Sequence, residues 1–219
     1  VSAVKRNLTE RILGAAFGLL VCAAGSYLTI TAGIGLSPWD ALCMGISGRL
    51  PLSYGMASVL VSVCVLAADL LLGEPVGLGT LLDAAGVGTA VDALLALDLL
   101  PAPGSLAESL FLLALGIVTI SVGQWIYMRS GLGCGPRDSL LVALGKRARR
   151  VPIGAVNLAL LLAVVSGAWL LGGPIGIGTV VTVGLQGVAM QLVFRLVRFE
   201  PRSVAHEDLL HTARLLAVK

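Results

Sequence analysis

Residues 33–42 read Gly-Ile-Gly-Leu-Ser-Pro-Trp-Asp-Ala-Leu, and residues 131–140 read Gly-Leu-Gly-Cys-Gly-Pro-Arg-Asp-Ser-Leu. Residues 72–80, Leu-Gly-Glu-Pro-Val-Gly-Leu-Gly-Thr, are answered by residues 171–179, Leu-Gly-Gly-Pro-Ile-Gly-Ile-Gly-Thr. The first pair is offset by 98 residues and the second by 99. Two matches in the same order at nearly one offset divide the chain into two copies of one unit. Internal duplication of this kind recurs in proteins that build a pathway across a bilayer.

The solvent for this unit follows from composition. The 219-residue chain is 57% hydrophobic and 12% charged, against roughly 25% charged in a soluble domain. Its mean hydropathy is +0.98. That excludes a soluble globular protein. Stretches of about 20 apolar residues match a hydrocarbon core about 30 Å thick, and six are present: 12–32, 55–72, 79–98, 107–128, 153–171 and 177–197. The apolar run after Lys5, Arg6 and Arg11 extends to about Ala32, longer than a signal-peptide core, so it reads as a retained first helix.

The segments 36–50 and 134–150 are shorter and polar at one end. If neither crosses and the N-terminus is inside, 14 of the 15 Lys and Arg fall on the inner side and only Arg49 falls outside. That agrees with the positive-inside rule. A rival with eight spans is nearly as good by charge, and the length of the short segments favours six. Three spans per copy forces the second copy upside down, as an inverted-topology repeat. The expected fold is therefore all-α: six transmembrane helices as two inverted three-helix repeats, each with a short helix after Gly-x-Gly-x-x-Pro-x-Asp. The first repeat is placed at 1–98, the second at 99–198, and a cytoplasmic interfacial tail at 199–219.

Ser37-Pro38-Trp39-Asp40 suits a helix start: serine as N-cap, proline at the first helical position, and aspartate at the third facing free N–H groups. Gly135-Pro136-Arg137-Asp138 repeats it with glycine as cap. Two readings of Asp40 and Asp138 stand. They cap helices and meet the dipole, or they sit at re-entrant helix starts beside a solute path. In the second case their charge favours a cation, a proton or a zwitterion over an anion. Thr80 to Asp83 reads as a further capping box.

Asp92 lies 12 residues past Thr80, about 18 Å along a helix, and reads as a mid-membrane carboxylate with Gln191 as its repeat counterpart. Ionisable groups at such depth usually face a bundle interior or cavity. Gln124 and Asn157 are further polar positions within spans. Asp92, Gln191, Asp40, Asp138, Gln124 and Asn157 form the proposed pathway set. Asp69 lies near the predicted inner end of its helix, where it can reach the interface.

Lys146, Arg147, Arg149 and Arg150 read as a topology anchor and a contact for anionic lipid. No folded domain presents them to nucleic acid. The tail from 203 on places Leu209, Leu210, Ala213 and Leu216 at helical spacing, as an amphipathic helix at the interface. The four cysteines lack metal-type spacing and read as small buried apolar groups. No metal or cofactor is expected. There is no H-E-x-x-H, no G-x-S-x-G and no G-x-x-x-x-G-K-[ST], so neither a hydrolase nor an ATP-driven pump on this chain is expected.

The doubled Gly-x-Gly-x-x-Pro-x-Asp and Pro-x-Gly-x-Gly-Thr signatures resemble those of the YczE/YitT group of bacterial integral membrane proteins, over about residues 10–198. Arg137 departs from the pattern at the position of Trp39. The resemblance implies a protein of the bacterial cytoplasmic membrane, and the charge count places both termini inside. The expected function is transport of a small solute. The alternative is a membrane accessory or regulatory protein that transports nothing. A homo-oligomer is compatible with either.

Overall fold

A computed structural model describes residues 8–133 and 135–199. The expected tail helix, His206, His211, Cys134, Lys5 and Arg6 lie outside the described residues. Those described form eight helices and no strand: α1 Leu8–Thr31, α2 Pro38–Arg49, α3 Tyr54–Leu71, α4 Leu78–Leu97, α5 Leu106–Met128, α6 Pro136–Arg147, α7 Ile153–Leu170 and α8 Ile177–Leu196. Six of them, all but α2 and α6, are long and apolar enough to cross a membrane. Each begins and ends within a few residues of the hydropathy stretch that predicts it. α2 and α6 have 12 residues each, about 18 Å at 1.5 Å per residue, too short to span alone.

Helix starts follow local chemistry. The Ser37 and Ser53 hydroxyls accept from the backbone N–H of Asp40 (3.3 Å) and Met56 (3.1 Å). α4 and α8 start on glycine. The N–H of Gly77 donates to Thr80 Oγ1 (3.3 Å) and that of Gly176 to Thr179 Oγ1 (3.2 Å). Thr80 is thus the third helical residue rather than the cap, which moves Asp83 from the expected capping box into the second turn of α4.

The helices pack through glycine. A Cβ on Gly18 would lie 2.6 Å from the Tyr127 backbone nitrogen and 2.9 Å from the Gly123 carbonyl oxygen. One on Gly25 would lie 2.8 Å from the Gly116 carbonyl oxygen. α1 and α5 therefore cross antiparallel with their backbones in contact, the close approach that small residues permit between membrane helices. The Arg11 guanidinium reinforces one end of the pair by donating to the carbonyls of Ser130 (2.8 Å) and Gly131 (3.1 Å), beyond the last turn of α5. α1 also packs on α4, α5 on α8, α3 on α4, α2 on α3 and α7, and α6 on α3 and α7.

The Gly-x-Gly turns do the same work at both loops. Gly33, Gly35, Gly131 and Gly133 all have positive φ, a conformation that glycine adopts without strain. Each turn lies against the start of a long helix from the other half of the chain. The Gly178 N–H donates to the Ile34 carbonyl (2.8 Å), and the Gly79 N–H donates to the Leu132 carbonyl (2.7 Å).

Candidate functional site

The turns aim α2 and α6 inward. Their first residues, with parts of α1, α3, α4 and α5, line a cavity of about 140 Å3. α3 contributes Tyr54, Ser58 and Ser62, spaced four residues apart and so on one face. α1 contributes Leu19, Cys22 and Ser26. Cys22 and Ser62 lie near the middles of their helices, so the cavity reaches the central depth of the bundle.

Asp40 is buried, with three polar partners. The Tyr54 hydroxyl donates to its Oδ1 (2.8 Å) and the Ser37 hydroxyl to its Oδ2 (2.7 Å). Arg137 Nη1 stands 3.8 Å from Oδ1. The guanidinium carbon lies 5.3 Å from the centre of the Trp39 ring, a cation–π arrangement. Burial works against the Arg137 charge, but Asp40 and its neighbours hold the guanidinium charged with a raised pKa.

Asp138 has the same position in α6 as Asp40 in α2, but its cap is Gly135, which has no hydroxyl to offer. Among the described residues no donor bonds its carboxylate. Burial pushes its pKa up, and Arg137 only partly offsets that. Asp83 of α4 reaches the same place: a Cβ on Gly135 would be 2.6 Å from Asp83 Oδ2 and 3.9 Å from Asp138 Oδ2. A side chain at 135 would make the Asp83 carboxylate shift away. Gln124 of α5 completes this side, and its buried Oε1 has no partner among the described residues.

Three of the six pathway residues read from the sequence, Asp40, Asp138 and Gln124, come together here. The other three do not. Asp92 accepts from the Gly55 N–H (2.7 Å) through Oδ1 and from the Ser53 hydroxyl through Oδ2. It caps the start of α3, close to the end of α4, so the expectation of an uncapped carboxylate at mid-membrane is corrected. The cap was hidden because it comes from a different helix. Gln191 is exposed on α8 and Asn157 is half-buried on α7, neither of them at the cavity. Asp69 is 1% exposed, so it does not reach the interface as expected, and its carboxylate oxygens have no partner among the described residues.

Sequence reasoning missed Arg137, Asp83 and Tyr54 as site residues. Arg137 carried one signal, its departure from Trp39 in an otherwise matching motif. Tyr54 carried none.

Six long apolar helices, four of which line a cavity entered by the starts of two short helices, define a multi-pass helical membrane protein. The chain belongs to DUF6198, a family of unknown function whose model matches residues 9–195. It is similar to the uncharacterized membrane protein YczE of Bacillus subtilis, at 31% identity over 176 residues and 80% of each chain. The uncharacterized protein YyaS of the same organism is 33% identical over 183 residues, 82% of this chain and 90% of that one. An uncharacterized protein of Haemophilus influenzae is 29% identical over 181 residues, 83% of this chain and 82% of its own. The YczE-like resemblance drawn from the motifs holds. No solved structure matches this chain.

Proposed function

We propose that this protein carries a small solute across the bacterial cytoplasmic membrane through the cavity between α2 and α6. One observation carries the reading: the starts of two short helices, one from each half of the chain, meet at a polar cavity at the central depth of the bundle. Short helices that end at mid-membrane beside a substrate site are a recurring device of secondary transporters.

The reading includes an inverted repeat, and contacts between the halves support it. Gly18 and Gly25 of α1 have Gly116 and Gly123 as sequence counterparts, and they pack crosswise, Gly18 on Gly123 and Gly25 on Gly116. Gly178 bonds Ile34 as Gly79 bonds Leu132. Arg49 ends α2 and donates to the Leu171 carbonyl (3.3 Å), while Arg147 ends α6 and donates to the Leu72 carbonyl (3.2 Å). Trp39 and Arg137, which occupy the same motif position, touch each other. A two-fold axis in the membrane plane relates such pairs and makes equivalent residues meet on it. The inner placement of both termini rests on the positive-inside count.

The test is uptake into proteoliposomes from a panel of labelled cationic, zwitterionic and neutral small solutes. Uptake of at least one is expected, with Asp40→Asn and Asp138→Asn each at least ten-fold slower while eluting as folded protein. Equal uptake by wild type and both variants, or none by wild type, would overturn transport through this cavity. The accessory reading would then lead.

A further inference from the structure

We infer that the solute taken by this cavity is a small organic cation with N–H donors, of the ammonium or guanidinium type, held between Asp83, Asp138 and the Gln124 carbonyl. This rests on the transport reading and names its substrate class. In the first half of the cavity, Asp40 is matched by Arg137, Tyr54 and Ser37. In the second half, two carboxylates converge on Gly135 with no bonded donor among the described residues. An independent group, the buried Oε1 of Gln124, also lacks a donor. One guanidinium thus faces three carboxylates, and the unmatched groups there are acceptors. Asp83 and Asp138 are half-buried, and carboxylates drawn partly out of water with no bonded donor are costly; a ligand supplying charge and N–H groups together removes that cost. The cavity's 140 Å3 is several times the roughly 10–15 Å3 that one water needs by the same measure. That fits a solute with a few heavy atoms. A metal ion fits less well, since no three of these side chains close on one point as metal ligands do among the described residues.

The asymmetry between the halves explains why the site lies on one side. Ser37 donates to Asp40, and its counterpart Gly135 leaves Asp138 unbonded and admits Asp83.

The experiment is isothermal titration of the full-length protein in nanodiscs with methylammonium, guanidinium and tetramethylammonium chlorides at constant ionic strength and pH 8. Saturable binding of methylammonium or guanidinium is expected, at least ten-fold tighter than that of tetramethylammonium, which has no N–H. Asp83→Asn and Asp138→Asn should each weaken it at least ten-fold. Gly135→Ala should weaken it too, because its Cβ displaces the Asp83 carboxylate while both charges remain. Asp92→Asn should bind as wild type. No saturable binding of either N–H cation, tetramethylammonium binding equally well, or unchanged binding in all three cavity variants would overturn the inference. Binding without uptake would leave this inference standing and defeat transport. Uptake of an anionic or neutral solute without cation binding would do the reverse.

Discussion

Asp40 and Asp138 stand at the same position of two short helices and yet differ in what meets them. Both were legible in the sequence, because the residues that place them are local: a cap, a proline and an acidic third position. The groups that separate their fates come from elsewhere in the chain, and no local pattern records them. Asp138 allows a pH test. Its pKa is raised in the folded protein, so its contribution to stability is present at low pH and is lost as pH rises through the folded value. Asp138→Asn should therefore melt higher than wild type at pH 8, with the gap closing toward pH 4, in thermal unfolding followed in detergent without added amines. A gap that is constant with pH would count against the unbonded carboxylate. Asp92 is the contrasting case. Asp92→Ala removes acceptors from the α3 start and should cost about 1 kcal/mol, read as a drop of about 2–4 °C in melting temperature. Uptake per folded molecule should stay at the wild-type level.

The elements themselves were legible because a bilayer imposes their length: six apolar stretches became six long helices. Packing between them was less so. Glycines at 18, 25, 116 and 123 are common in membrane sequences, and only their crosswise contact marks them as the seam between α1 and α5. Gly25→Val should prevent that contact, since even its Cβ would meet the Ile120 nitrogen at 2.7 Å. Gly14→Val, with nothing within 4 Å of the added carbon, should be tolerated. Size-exclusion chromatography after detergent extraction distinguishes them: a monodisperse peak for Gly14→Val, and aggregation or loss of the peak for Gly25→Val. A normal peak for both would mean that the seam is not tightly packed.

At the scale of the whole molecule, the doubled motifs were the strongest signal, because a repeat constrains both halves at once. They could not reveal how the halves differ, and the differences at Ser37/Gly135 and Trp39/Arg137 give the cavity its uneven charge. Arg49 and Arg147 end α2 and α6, so an inverted repeat sends them to opposite faces. A single cysteine at 49 should react with an impermeant maleimide from outside the cell, and one at 147 only after the inner face is opened. Reaction of both from the same face would contradict inversion. The most direct test is whether water and solute reach the cavity. Ser62 lines it from the middle of α3. In an otherwise cysteine-free chain, Ser62→Cys should be modified by a small cationic thiosulfonate from both right-side-out and inside-out vesicles, and methylammonium should slow the reaction. A thiol that stays unmodified from both sides would mean a sealed packing defect, and the pathway through α2 and α6 would be wrong.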